Sequence, residues 1–125
     1  MNELPKISDA EIEVMKVLWE KSPMTSAEIV DKLSVEHEWK SQTIKTLIER
    51  LMKKGAVDYD KAGRAYLYKP VIDREEYSTF RSQTFLSKIF DGSLTSMFAH
   101  FVDNHNLSEE ESQELQAILD KNEVN

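Results

Sequence analysis

Trp39-Lys40-Ser41-Gln42-Thr43-Ile44-Lys45-Thr46-Leu47-Ile48-Glu49-Arg50-Leu51 is the stretch on which the reading of this chain turns. Written as a helix, it divides into two faces. Ile44, Leu47, Ile48 and Leu51 recur at spacings of three and four, the pattern of a stripe buried against a core. Gln42, Thr43, Lys45, Thr46 and Arg50 project the other way, with Glu49 the one acid among them. Ser41 is expected to cap the first turn, so that the positive end of the helix dipole points where the N-terminus is aimed. A rigid helix with an acid-poor, hydrogen-bonding outer face suits a DNA major groove. Hydroxyls and amides reach base edges there, and Lys and Arg reach phosphates or guanine. An ordinary surface helix with few acids fits the same residues, so the flanks must decide.

Upstream, Ser8-Asp9-Ala10-Glu11 has the form of a capping box and opens a helix to about Lys21, with Ile12, Val14, Met15, Leu18 and Trp19 as its apolar side. Ser22-Pro23 ends it. Thr25-Ser26-Ala27-Glu28 is a second capping box, starting a short helix that turns Ile29, Val30 and Leu33 inward, and a loop is expected near Val35–Glu38. Downstream, Lys53-Lys54-Gly55 stops the third helix. Ala56–Asp60 and Ala65–Pro70 then read as strands, joined by a Lys61-Ala62-Gly63-Arg64 turn. Three short helices and a hairpin make a winged helix-turn-helix, in which Lys61 and Arg64 lie where a wing meets the DNA backbone or minor groove. A hairpin that merely caps the third helix is the plainer alternative. Together with a charged wing, the helix-turn-helix favours DNA binding.

The net charge of −7 argues against a nucleic-acid partner until it is divided along the chain. Residues 1–70 carry 12 Lys/Arg and 12 Asp/Glu, whereas residues 71–125 carry 4 and 11. Residues 40–69 alone hold 8 basic and 3 acidic side chains, so the positive potential is concentrated on the recognition helix and wing. No cysteine is present, which excludes disulfides, thiol chemistry and thiolate metal sites. No apolar run suits a membrane span and no signal-peptide pattern opens the chain, so a cytoplasmic protein without a membrane partner is expected.

Beyond Pro70 the pattern changes, and a boundary is expected between residues 1–71, the DNA-binding domain, and 72–125. Asp73 can cap a long helix to about Phe90, with Tyr77, Phe80, Phe85, Leu86 and Ile89 on its apolar side. Gly92 breaks it and Ser93 can cap the next helix, where Leu94, Met97, Phe98, Phe101 and Val102 follow helical spacing. Ser108-Glu109-Glu110-Glu111 opens a last helix with Leu115, Ile118 and Leu119 inside. Roughly fifty residues cannot bury three apolar stripes well by themselves. A homodimer interlocking these helices would bury them and would let two copies read a palindrome; packing back onto the first domain is the alternative. The fold class is therefore mainly α with a small β-hairpin: a winged helix-turn-helix followed by a helical dimerisation domain.

Ile7-Ser8-Asp9-Ala10-Glu11 through Val14-Met15, the Trp39 to Leu51 stretch, Lys53-Lys54-Gly55, Gly63-Arg64 with Tyr66-Leu67-Tyr68, Gly92-Ser93-Leu94, Phe101-Val102 and Leu107-Ser108, in this order, closely resemble the penicillinase-repressor family. The resemblance covers nearly the whole chain. It implies a dimeric winged-helix repressor on a palindromic DNA operator with TACA and TGTA half-sites. DNA-contacting positions would fall on Gln42, Thr43, Lys45, Thr46 and Arg50, with Arg64 in the wing. Many members carry Ser-Pro-Lys after the tryptophan, where this chain has Lys40-Ser41-Gln42, so base preference at that flank is open. In the family's β-lactam branch a sensor-linked protease leads to cleavage of an Asn-Phe bond, which aligns here with His100-Phe101. The copper branch uses C-terminal cysteine pairs that this chain lacks, although its recognition helix is similar to that branch. Cleavage needs no cysteine and is the preferred release mechanism.

Other chemistry is weakly represented. His100 and His105 are five residues apart and fall on different sides of a helix, and His100 with Asp103 supplies two ligands where a tight metal site needs more. Trp19 and Trp39 suit gaps between helices, and the Glu109–Glu111 run suits a helix N-terminus. No phosphate loop, metal motif or nucleophile–base pair is evident, so neither an enzyme nor a cofactor or metal is expected. A ligand-sensing winged-helix regulator and a protein–protein adaptor remain as alternatives to the repressor. The positive charge on residues 40–69 weighs against the adaptor.

Overall fold

The computed structural model describes residues 4–123. Its elements run α1 (Asp9–Glu20), α2 (Ser26–His37), α3 (Ser41–Lys53), β1 (Val57–Ala62), β2 (Ala65–Pro70), α4 (Arg74–Phe90), α5 (Leu94–Asn104) and α6 (Glu109–Lys121). The architecture is mainly helical with one antiparallel hairpin, as the periodicities predict. Among the described residues no helix is long and apolar enough to cross a membrane.

Local chemistry sets the helix starts. The Ser8, Thr25 and Ser108 hydroxyls each accept from the backbone N–H three residues on, while Glu11, Glu28 and Glu111 return the bond to the cap N–H. Asp73 accepts from the N–H groups of Glu75 and Glu76, and Ser93 from Ser96. Two expectations are corrected. The α3 cap position belongs to Lys40, which makes no side-chain capping bond, and Ser41 is the first helical residue. The second helix is also longer than predicted. It continues through Val35 and Glu36 to His37 and stops where Glu38 takes a left-handed φ of 57°.

Packing divides the chain into two units, one ending at Phe80 and the other starting at Arg81. In the first, Val14, Met15, Leu18, Ile29, Leu33, Ile44 and Leu51 are fully buried where α1, α2 and α3 meet. The four buried side chains of α3 are worth about 6–12 kcal/mol of transfer free energy, an upper estimate. A missing N-cap costs about 1 kcal/mol, so packing and not capping fixes α3.

The hairpin is sewn to this core. Met24 and Tyr68 exchange backbone hydrogen bonds of 3.0 and 2.7 Å, adding a bridge beside β2. The Trp19 indole N–H donates to the Ile72 carbonyl at 2.8 Å, tying α1 to the segment after the wing. Tyr77 is buried 6.0 Å from the Trp19 ring, and Phe80 packs against Tyr77. The first packing unit ends at Phe80. It takes in the first turns of α4, because that helix runs on without a break.

The second unit has no buried residue in α5 or α6. Phe85, Ile89, Leu94, Phe98, Phe101, Val102, Ile118 and Leu119 are all exposed. Its internal packing centres on Phe90, whose ring lies 5.8 Å from Phe85, 5.6 Å from His100 and 6.5 Å from Phe101. Met97 and Leu115 are half-buried.

Candidate nucleic-acid interface

The recognition helix has the two faces that its spacing predicts. Ile44, Leu47, Ile48 and Leu51 are buried, whereas Gln42, Thr43, Lys45 and Arg50 are exposed, as are Lys40 and Ser41 ahead of them. Thr46 is half-buried, and its hydroxyl donates to the Gln42 carbonyl at 2.9 Å. The free lone pairs of that hydroxyl can accept, but its proton is already engaged within the helix.

Trp39 and His37 brace the turn leading into this helix. Their rings stack at 4.4 Å with planes 19° apart, and His37 Nε2 lies 3.2 Å from Glu13 Oε1 on α1. Trp39 packs on the core as a gap filler, in line with its sequence context. At the other end of α3, Lys54 is turned inward. Its ammonium donates to the Lys6 carbonyl at 2.7 Å and to Glu11 Oε1, which also accepts from the Ser8 N–H at 2.9 Å. Burial pushes the Glu11 carboxyl up, but Lys54 and Ser8 together hold it below its ordinary value. One of the basic residues of segment 40–69 therefore anchors the helix and is not free to meet a ligand.

The wing turn is tighter than the sequence suggests. Ala62 pairs with Ala65, leaving only Gly63 and Arg64 in the loop. Gly63 has φ +63°, the first-position conformation that a two-residue hairpin loop with glycine there requires. Arg64 is exposed at the tip, whereas Lys61 lies within β1, opposite Tyr66 and 5.9 Å from its ring centre. Tyr59 and Tyr66 stand 4.5 Å apart, with Tyr68 6.0 Å from Tyr59. The Tyr68 phenol is pushed up by burial and then by its neighbours Tyr66, Tyr59 and Glu49. The sequence marks these tyrosines as strand formers, and Tyr66 and Tyr68 as part of the wing motif; their alternation along the hairpin is the signal that they share one face.

The N-terminal unit thus carries an acid-poor helix face next to a cation-tipped hairpin. A sequence profile described as Penicillinase repressor matches residues 7–121. The chain belongs to the penicillinase repressor family. It is 43 % identical over 121 residues to the penicillinase repressor of Bacillus licheniformis, spanning 97 % of this chain and 94 % of that one. The methicillin resistance regulatory protein MecI of Staphylococcus aureus (strain N315) is 33 % identical over 120 residues, 96 % of this chain and 98 % of MecI. The solution structure of monomeric B. licheniformis BlaI in complex with the blaP half-operator is similar with a TM-score of 0.55 and 45 % identity. That match covers 62 % of this chain and 94 % of that one. The family resemblance read from the motifs is therefore correct.

The other two histidines belong to the second unit. His100 and its neighbour Phe101 are exposed in the middle of α5, and His105 Nε2 lies 3.7 Å from Glu111 Oε2. Among the described residues no three His, Asp or Glu side chains come together as a metal cluster.

Proposed function

We propose that this DNA-binding transcriptional repressor of the penicillinase repressor family acts as a homodimer on a palindromic operator with TACA and TGTA half-sites. The observation that carries the reading is the exposed face of α3 (Gln42, Thr43, Lys45 and Arg50) set on a fully buried stripe and flanked by Arg64 at the wing tip. Such a helix presents its side chains to base edges in fixed register, while Lys40, Lys45, Lys61 and Arg64 neutralise phosphates. The similarity to a repressor domain solved on its half-operator supports the same use of this surface.

The second unit supports the dimer. Eight large apolar side chains left exposed on α4, α5 and α6 correspond to about 8 kcal/mol of burial available to a partner, at about 1 kcal/mol for each half-exposed side chain. A second copy of this chain offers the same surface by symmetry. Release is assigned to a sensor-linked protease acting at His100-Phe101. Both residues lie on this apolar helix, so a cut there would split the surface that holds the dimer together.

Titration of the purified protein against the palindrome and a scrambled duplex, with and without copper, tests the reading. Preference for the palindrome by at least a hundredfold, unchanged by copper, is expected. Equal affinity for both duplexes would overturn the operator assignment, and copper-dependent loss would replace cleavage with a metal signal.

A further inference from the structure

The wing sorts its charges by face. The register pairs Val57 with Pro70, Tyr59 with Tyr68 and Lys61 with Tyr66, so these six side chains share one side of the hairpin. That side holds one cation, three phenols and no acid. The other side carries Asp58 and Asp60, with Lys69 bonded to Asp60 at 2.9 Å. The acid-free side faces α3 across a cleft of about 600 Å³, where Tyr59, Tyr66 and Tyr68 meet Lys45, Glu49 and Lys53. Among the described residues neither Lys45 nor Lys53 is in an ion pair within the chain. None of the three phenol hydroxyls has a hydrogen-bond partner there. Cations and hydroxyl donors on both walls, unpaired among the described residues and with Glu49 the one acid between them, describe a site for an extended anion.

Duplex geometry says which anion. A helix in the major groove and a wing at the adjacent minor groove are separated by one sugar–phosphate strand, and that strand must pass between them. We propose that the cleft between α3 and the wing is the track of this strand, with Lys53 and the Tyr59 and Tyr66 hydroxyls as phosphate donors beside Lys45, and Glu49 as the one group opposing the strand. The inference rests on the DNA-binding reading above. It extends the interface from the outer helix face and the wing tip to the wall between them, which the sequence did not mark. Glu49 then has a defined consequence: a carboxylate in the track repels the phosphates and holds affinity below what the surface could deliver.

The test compares full-length single variants with wild type in operator titrations over a salt series. Lys53→Gln should weaken binding about tenfold and lower the magnitude of the salt slope by about 0.9. Tyr66→Phe, which keeps the ring, should cost about fivefold with the slope unchanged. Glu49→Gln should bind several-fold more tightly. Asp60→Asn and Lys69→Gln, on the far side of the wing, should stay close to wild type. All five positions have exposed or half-exposed side chains, and thermal melts verify that each variant is folded. Unchanged affinity in Lys53→Gln and Tyr66→Phe would refute the track while Lys45→Ala and Arg64→Ala still weaken binding, leaving the DNA-binding reading intact. Failure of the wild type to bind any duplex would overturn both.

Discussion

Replacing Lys54 with Met tests the claim that this cation holds the recognition helix to the N-terminal segment and does not meet DNA. Glu11 is only 2 % exposed, and its Oε1 is shared between the Lys54 ammonium and the Ser8 N–H. Removing one member of a buried ion pair costs about 3–5 kcal/mol, because the other charge is left behind. The Lys54 side chain is 33 % exposed, so solvent screening brings the expectation down to about 2–3 kcal/mol. For a unit of this size that is a fall of roughly 10–20 °C in Tm. Trp19 and Trp39 both pack on the affected core, so urea unfolding followed by tryptophan fluorescence reports on it directly. The pH dependence supplies a second readout. In the wild type the folded-state carboxyl lies below its ordinary value of 4.5. It therefore contributes stability that is present above that value and is lost as pH falls through the lowered one. In Lys54→Met, burial is opposed by Ser8 alone and the folded-state value rises. Protonation then relieves the buried charge, so the deficit is largest near pH 7 and narrows toward about pH 4. A deficit below about 0.5 kcal/mol near pH 7, or one that does not change with pH, would refute the clamp.

Further outcomes follow from the interface and the second unit. Arg50→Ala should cost about 1–3 kcal/mol of operator affinity in fluorescence anisotropy, and Arg64→Ala should lower the salt slope by about one unit; normal values in both would move the interface elsewhere. Phe98→Glu, at an exposed site, should leave the N-terminal unit folded and give a monomer in sedimentation velocity; persistence of the dimer would place its interface elsewhere. Where β-lactam induction acts through cleavage, mass spectrometry of induced cells should find a fragment ending at His100. An intact chain alongside derepression would remove His100-Phe101 from the mechanism.

Periodicity and capping chemistry made most of the fold legible. The stripe from Ile44 to Leu51 and the boxes at Ser8, Thr25 and Ser108 carry their information locally, and each formed as read. What escaped depended on partners distant in sequence. The cap of α3 moved to Lys40 because packing, worth several times a cap, sets where that helix begins. The extra turn of α2 carries Val35, which is 82 % exposed and adds nothing to the apolar stripe, so periodicity ended early. Lys54 reads like any basic residue near a helix end until Glu11, 43 positions away, is placed beside it. Tyr77 and Phe80 fit the apolar side of a long helix, but α4 crosses the packing boundary and its first turns belong to the N-terminal core. The exposed face of α3 and the Arg64 tip were legible, whereas the tyrosine wall needed the strand register to reveal it.

A dimer that reads a palindrome with both heads is tested most directly by changing the half-site spacing. Five base pairs inserted between TACA and TGTA turn one half-site about half a helical turn from the other. Binding in a gel-shift titration should pass from a single cooperative step with two chains per duplex to weak binding at separate half-sites. Affinity and cooperativity indifferent to the insertion would mean that each chain reads DNA alone, and the dimer would have no part in recognition.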